Sequence, residues 1–164
     1  MDAVFVRIHF FGKIMNSADL TIRAYDRATD LEALSTIWFD ASTSAHGFLG
    51  ARRLQEQRHL IETLYLPSAE TWVACHQGQA VGFISLLDHF VGGLFVSPRH
   101  QGLGAGRRLG AHALALKGEL ELEVYTRNLQ AMSFYGRLGF TELSRREHDD
   151  EGLPFENARM RLRA

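Results

Sequence analysis

Cysteine is almost missing from this chain: Cys75 is the only one in 164 residues. An internal disulfide is thereby excluded, and a lone thiol in the apolar run Trp72-Val-Ala-Cys-His76 fits a reducing compartment and a buried strand position. A charge excess is missing too, since 18 Lys and Arg face 19 Asp and Glu, so neither nucleic acid nor an anionic membrane is an expected partner. Metal-ligand spacing is absent, because the eight histidines are scattered and form no short-spaced cluster, and no metal is expected. No apolar run is long enough to span a bilayer. The apolar stretch Met1 to Ile14 is broken by Arg7, His9 and Lys13, and it lacks the ordered regions of a signal peptide. We expect residues 1–14 to be a dispensable extension, residues 15–164 to form one domain, and the protein to be cytoplasmic. A hydrophobic content of 46% suits one globular domain with a sizeable core, and no linker, repeat or low-complexity segment divides it.

What is present centres on Leu94-Phe-Val-Ser-Pro-Arg-His-Gln-Gly-Leu-Gly-Ala-Gly106, where an apolar strand meets a helix through a glycine-studded turn. Gly102, Gly104 and Gly106 let main-chain N–H groups converge without Cβ atoms in the way, and the helix start adds unpaired donors and the positive end of its dipole. Such a turn suits a pyrophosphate. It is not a P-loop, because no Gly-Lys-Ser/Thr follows. A G-x-G-x-x-G fingerprint also fails, since its last position is Arg107 counted from Gly102 and Leu109 counted from Gly104.

Downstream lies Asn128-Leu-Gln-Ala131-Met-Ser-Phe134-Tyr135-Gly-Arg-Leu138-Gly139-Phe140. Ala131, Phe134, Tyr135 and Leu138 share one helical face, Gly139 stops the helix, and Phe140 returns to the core. On periodicity alone Tyr135 reads as core. Taken together, Gln101-x-x-Gly104-x-Gly106 after Val96-Ser97-Pro98, and N-x-x-A-x-x-F-Y-x-x-x-G-F about thirty residues later, resemble the two signatures of the GCN5-related N-acetyltransferase (GNAT) superfamily. The resemblance covers about residues 20 to 162.

It implies an α/β fold: a mixed, mostly antiparallel sheet of six to seven strands flanked by about four helices and splayed between strands four and five. The expected elements follow that order. Thr21 to Tyr25 is a first strand, and Thr29-Asp-Leu-Glu32 suits a capping box that opens the first helix. Ser42 to Gly47 reads as a loop, and Ala51 to Tyr65 as a second helix ending before Pro67. Glu70–His76, Gln79–Leu86 and His89–Val96 read as three antiparallel strands, with Gly92-Gly93 fitting a bulge. A strand Leu120–Val124 precedes the Asn128 helix, and a final pair lies near 141–148 and 155–162.

The resemblance further implies transfer of the acetyl group of acetyl-CoA to a primary amine, of a small molecule or a protein lysine or N-terminus, by direct attack in a ternary complex. The alternative is a non-catalytic acyl-CoA sensor or interaction module on the same fold. Gln101, Gly102, Leu103, Gly104, Ala105, Gly106 and, more weakly, Arg107 match the pyrophosphate turn. Leu94, Phe95 and Val96 match the strand that pairs with the pantetheine arm, and an N–H near Leu94 or Phe95 would face the tetrahedral oxygen, where such a donor is worth about 3 kcal/mol. Asn128 matches a pantetheine contact, with helix N-capping open as a second role. Tyr135 matches the general acid that protonates the leaving thiolate. For the general base the first candidate is His46, in the segment after the first helix and with a reference pKa near 6.5; His46-Gly-Phe48-Leu49 also resembles a run in small bacterial YjaB-like members of the family. Its alternative is an exposed loop histidine, and Asp88 and His89 compete for the role. No acidic cluster stands out as a site for a polycationic acceptor. The expected assembly is a monomer or homodimer.

Overall fold

The computed structural model describes residues 19–164; the expected extension, residues 1–14, lies outside the described residues. The chain runs through β1 (Leu20–Ala24), α1 (Arg27–Ala45) and α2 (Ala51–Leu60) into β2 (Glu70–His76), β3 (Gln79–Leu87) and β4 (Phe90–Val96). It continues through α3 (Ala105–Lys117), β5 (Glu119–Tyr125), α4 (Leu129–Leu138), β6 (Thr141–Arg146) and β7 (Asn157–Arg163). The seven strands form one sheet in the order β1-β2-β3-β4-β5-β7-β6. Every neighbouring pair is antiparallel except β4 and β5, so this is the mixed α/β sheet anticipated from the sequence.

Alternation along the strands divides the interior in two. Leu120, Leu122 and Val124 of β5 point into a core shared with Leu94 of β4, Leu109 and Ala113 of α3, and Ala131, Phe134 and Tyr135 of α4. On the other face Val73, Cys75, Phe83 and Phe95 pack against Leu34, Ile37 and Trp38 of α1 and Leu54 of α2. A one-residue slip of any central strand would exchange these two sets, which fixes the register. β5 and β7 add a second lock. Their pairing sets Glu119, Glu121 and Glu123 opposite Arg163, Arg161 and Arg159, and ion pairs link the two rows.

The splay follows from the one parallel contact. β4 and β5 pair only at Phe90↔Glu121, and the Glu121 N–H donates to the His89 carbonyl at 3.1 Å. Beyond that point the strands part, leaving the β5 side of residues 92–96 without a strand partner. β3 holds β4 in place through this stretch and shows the anticipated irregularity: Ser85 faces Gly93 and Leu86 faces Val91, so Gly92 is the extra residue of a bulge. A Cβ on Gly93 would lie 2.3 Å from the Phe95 ring, so this bend needs glycine.

Three expectations about the helices are corrected. The first helix starts before Thr29, because Asp26 is its N-cap and accepts from the Ala28 N–H at 3.0 Å. Asp30 then accepts from the Asp26 N–H at 2.8 Å and from Arg23, whose guanidinium holds the buried carboxyl below the usual range. Ser42 to Ala45 belong to α1, not to a loop, since the buried face of Leu34, Trp38, Ala41 and Ser42 extends the helix. The second helix does not stop at Pro67. A wide π turn, Ile61–Tyr65, carries it into a last turn, Leu66–Ser68, where proline's missing N–H is tolerated.

Candidate functional site

Val96 leaves the sheet at its splayed edge and the short 3-10 turn Pro98–His100 leads into the glycine turn. Gly102 and Gly104 lie in the left-handed region, φ +87° and +79°, where a side chain would strain the backbone. Gly104 is the N-cap of α3 and supplies no side-chain cap, so the first N–H groups of the helix face outward for another acceptor. They open onto a cleft of about 640 Å3. Val96, Gln101, Gly102, Gly104, Ala105, Gly106 and Arg107 line it, all residues singled out from the sequence.

Two buried nitrogens beside this cleft, His100 Nδ1 and Gln101 Nε2, have no hydrogen-bond partner among the described residues. Unmet polar atoms at a turn with unused main-chain donors suit an anionic, acceptor-rich group such as a pyrophosphate. The opposite wall is α4, through Leu129, Gln130, Ser133, Phe134 and Arg137. Apart from Phe134, this wall lies beside the buried stripe of α4, the one face that the helix periodicity marks. Leu129, 75% exposed, was its available signal: a large apolar residue outside the stripe of an otherwise regular helix.

Leu94 and Phe95 do not line the cleft but are buried on opposite faces of β4 in the splay, and Leu103 is buried beneath the turn. Tyr135 is 2% exposed, with its ring centroid 5.3 Å from those of Phe134 and Phe140. Asn128 is the N-cap of α4: its Oδ1 accepts from the Ala131 N–H at 3.1 Å, a geometry that fixes which end of the amide is the donor. The Nδ2 group then lies 3.3 Å from His46 Nε2, which accepts from it.

That contact joins the donor side to a second pocket, of about 210 Å3, on the α1–α2 face. His46 caps α1 and is 4% exposed, with Tyr125 and Phe48 edge-on at 5.4 and 5.8 Å. The exposed-loop alternative is therefore overturned. Burial pulls the imidazole below its reference value, to about 3, while the Asn128 amide donates to a ring nitrogen. At neutral pH it is an uncharged, weakly basic wall. Asp88 and His89 sit where β4 and β5 are still joined, at the closed end of the splay.

Trp38, Ser42, Leu60, Tyr65, Tyr125 and Asn157 also line the second pocket, together with Glu123, Asp149, Asp150 and Glu151. An acidic site is thus present after all. It escaped notice because Glu123 stands on β5 and the other three carboxylates follow β6; strand pairing through β7 gathers them. Among the described residues no group of three His, Cys, Asp or Glu is placed to hold a metal, and no helix is long and apolar enough to cross a membrane.

A splayed mixed sheet with an anion turn at one strand end fits the acyl-coenzyme-dependent transferase class that the sequence resembles. Residues 67–142 match the family model for the acetyltransferase (GNAT) domain. Peptidyl-lysine N-acetyltransferase YjaB of Escherichia coli K12 is 38% identical over 125 residues, 76% of this chain and 84% of that protein. Peptidyl-lysine N-acetyltransferase YiaC of the same organism is 30% identical over 127 residues, 77% and 87%. The solution structure of apo-form YjaB from Escherichia coli superposes with a TM-score of 0.79 at 35% identity, covering 87% of this chain and 96% of that one. The chain belongs to the GCN5-related N-acetyltransferases and is an acetyl-CoA-dependent N-acetyltransferase.

Proposed function

We propose that this enzyme acetylates the side-chain amine of lysine in a protein or peptide. The observation that carries the reading is the acidic pocket beside His46, whose apolar walls Trp38 and Leu60 suit an alkyl chain and whose carboxylates suit an ammonium. The relatives named for peptidyl-lysine acetylation support it. Acetyl-CoA lies with its pyrophosphate on the N–H groups of residues 102–106 and its pantetheine arm along the unpaired edge of Leu94, Phe95 and Val96. The thioester then reaches the open end of the splay. The neutral amine attacks the thioester carbonyl carbon, a main-chain N–H near Leu94 or Phe95 stabilises the oxyanion, the nitrogen made cationic by the attack releases its proton to water, and the C–S bond breaks as the intermediate collapses to the amide and a thiolate.

Tyr135 protonates the departing thiolate. Its reference pKa near 10 against about 8.5 for a thiol makes that donation mildly uphill in water, so its benefit is moderate. Asn128 acts as a positioning residue that caps α4 and orients His46. His46 is a neutral wall of the acceptor pocket rather than a strong base, because a group with a pKa of about 3 does not hold an ammonium's proton.

The test is acetyl-CoA thiol release with lysine peptides, the same peptides with lysine replaced by norleucine, and peptides whose only amine is the N-terminus. Lysine-dependent release is expected. Equal release with N-terminal amines would move the acceptor assignment, and coenzyme binding with no release on any amine would favour a sensor.

A further inference from the structure

Among the four carboxylates of the second pocket, three already have a cation. Glu123 pairs with Arg146 and Arg159, Asp150 with Arg146, and Glu151 with Arg53. Asp149 has none among the described residues. Its Oδ1 accepts from the N–H groups of Glu151 and Leu153 at 3.0 and 2.9 Å, and its Oδ2 accepts from the Tyr125 hydroxyl at 2.8 Å. The carboxylate is therefore fixed by three neutral donors and keeps its full charge at the pocket wall.

Across α1, Ser42 lines the same pocket at 1% exposure, and its Oγ has no hydrogen-bond partner among the described residues. A buried hydroxyl without a partner is unfavourable, and a polar guest would satisfy it. A guest that donates in more than one direction and carries positive charge answers both groups. An alkylammonium has three donors and one charge, whereas an alcohol or amide lacks the charge.

We propose that Asp149, held by Tyr125, and Ser42 form the ammonium-binding end of the acceptor pocket and make it selective for a primary amine on an unbranched alkyl arm. The proposal rests on the lysine acceptor reading and names the residues that enforce it. Its role is in binding: Asp149 raises the local population of the cationic acceptor, and transfer then follows from the small neutral fraction. Removing the charge therefore raises KM for the acceptor and leaves KM for acetyl-CoA alone.

Asp149→Asn is a mild probe, because the amide oxygen still accepts from Glu151 and Leu153 and the Tyr125 hydroxyl can turn to accept from the new amide. Protein loaded with coenzyme A is titrated with Nα-acetyl-lysine methylamide and with its norleucine counterpart, following the Trp38 indole resonance. The lysine ligand should bind at least about tenfold tighter, with Asp149→Asn removing that preference and Ser42→Ala reducing it about threefold. In turnover, Asp149→Asn should raise KM for a lysine peptide about tenfold or more with kcat changed less than about threefold. Equal binding of the two ligands, or a preference that survives Asp149→Asn, overturns the proposal. Asp149-dependent lysine binding without acetyl transfer would keep the site and instead reject lysine as the acceptor.

Discussion

Around residues 102–106 the chain offers main-chain N–H groups on one short, contiguous segment, where every residue is glycine or alanine except Leu103, which is buried beneath the turn. The pocket beside His46 is the reverse: its walls come from α1, α2, β5, β7 and the β6–β7 connection, and the residues that line it carry polar, charged or aromatic side chains almost throughout. Backbone donors bind any pyrophosphate alike and tolerate sequence change nearby. Side-chain walls are specific and can be altered one residue at a time. One half of the enzyme is therefore fixed in chemistry, and the other is free to choose its acceptor.

The sharpest way to break that contrast is to put a charge into the backbone half. Gly104→Asp introduces a carboxylate at the N-cap of α3, where it competes with the coenzyme phosphates for the same N–H groups. Coenzyme A affinity should fall at least about a hundredfold by calorimetry. Stability should fall by only about 1 kcal/mol from the left-handed backbone at φ +79°. Affinity within about threefold of the parent would place the phosphates elsewhere.

Tyr135→Phe tests the side chain proposed as the acid of the donor half. Turnover should drop about ten- to a thousandfold with acetyl-CoA affinity nearly kept. The phenylalanine preserves the ring contacts with Phe134 and Phe140, and a thermal melt of the variant separates a slow enzyme from a destabilised one. An unchanged kcat would leave Tyr135 a core residue.

The same contrast explains what was legible beforehand. Gly102, Gly104 and Gly106 mark a turn that opens on a cleft, because a contiguous backbone feature is written contiguously. The fold was equally open, since β2, β3, β4 and β5 fall within a residue or so of their expected limits and Gly139, at φ +101°, ends α4 as anticipated. Hidden from view was whatever depends on residues distant in sequence. Ser42 read as loop because polar residues cluster there, yet Ala41 and Ser42 are buried and the helix runs on to Ala45. Glu123 and Asp149 meet only through the β5–β7–β6 pairing, and the Thr29-x-x-Glu32 spacing suits a capping box although Asp26 already caps the helix. His46 was found, but its environment was not: no local pattern reports that Tyr125, Phe48 and Asn128 close around it.

His46 supplies the next test, on the side-chain half. Its folded pKa of about 3 lies below the unfolded value near 6.5, so the unfolded chain binds the extra proton between those limits. Stability from this group is present in full above pH 6.5 and is lost as pH falls toward 3, at up to about 1.4 kcal/mol per pH unit. In His46→Gln the amide still accepts from Asn128 but cannot ionise, so the acid limb of the denaturation profile should flatten by about one proton. An identical limb would mean that His46 is not held neutral.

A smaller effect sharpens the link between the halves. Asn128→Asp retains the cap on α4, because a carboxylate oxygen still accepts from the Ala131 N–H and suits the positive helix end. It replaces the amide donor at His46 Nε2 with an acceptor, and an anion beside an imidazole favours its protonated form. The His46 pKa should rise by about 1–3 units in an NMR titration, with little change in coenzyme A affinity if the cap is this residue's main service to the donor side. A large loss of coenzyme affinity together with an unmoved His46 would assign Asn128 to the pantetheine arm, and the two halves would then be joined through the coenzyme instead of through the Asn128–His46 bond.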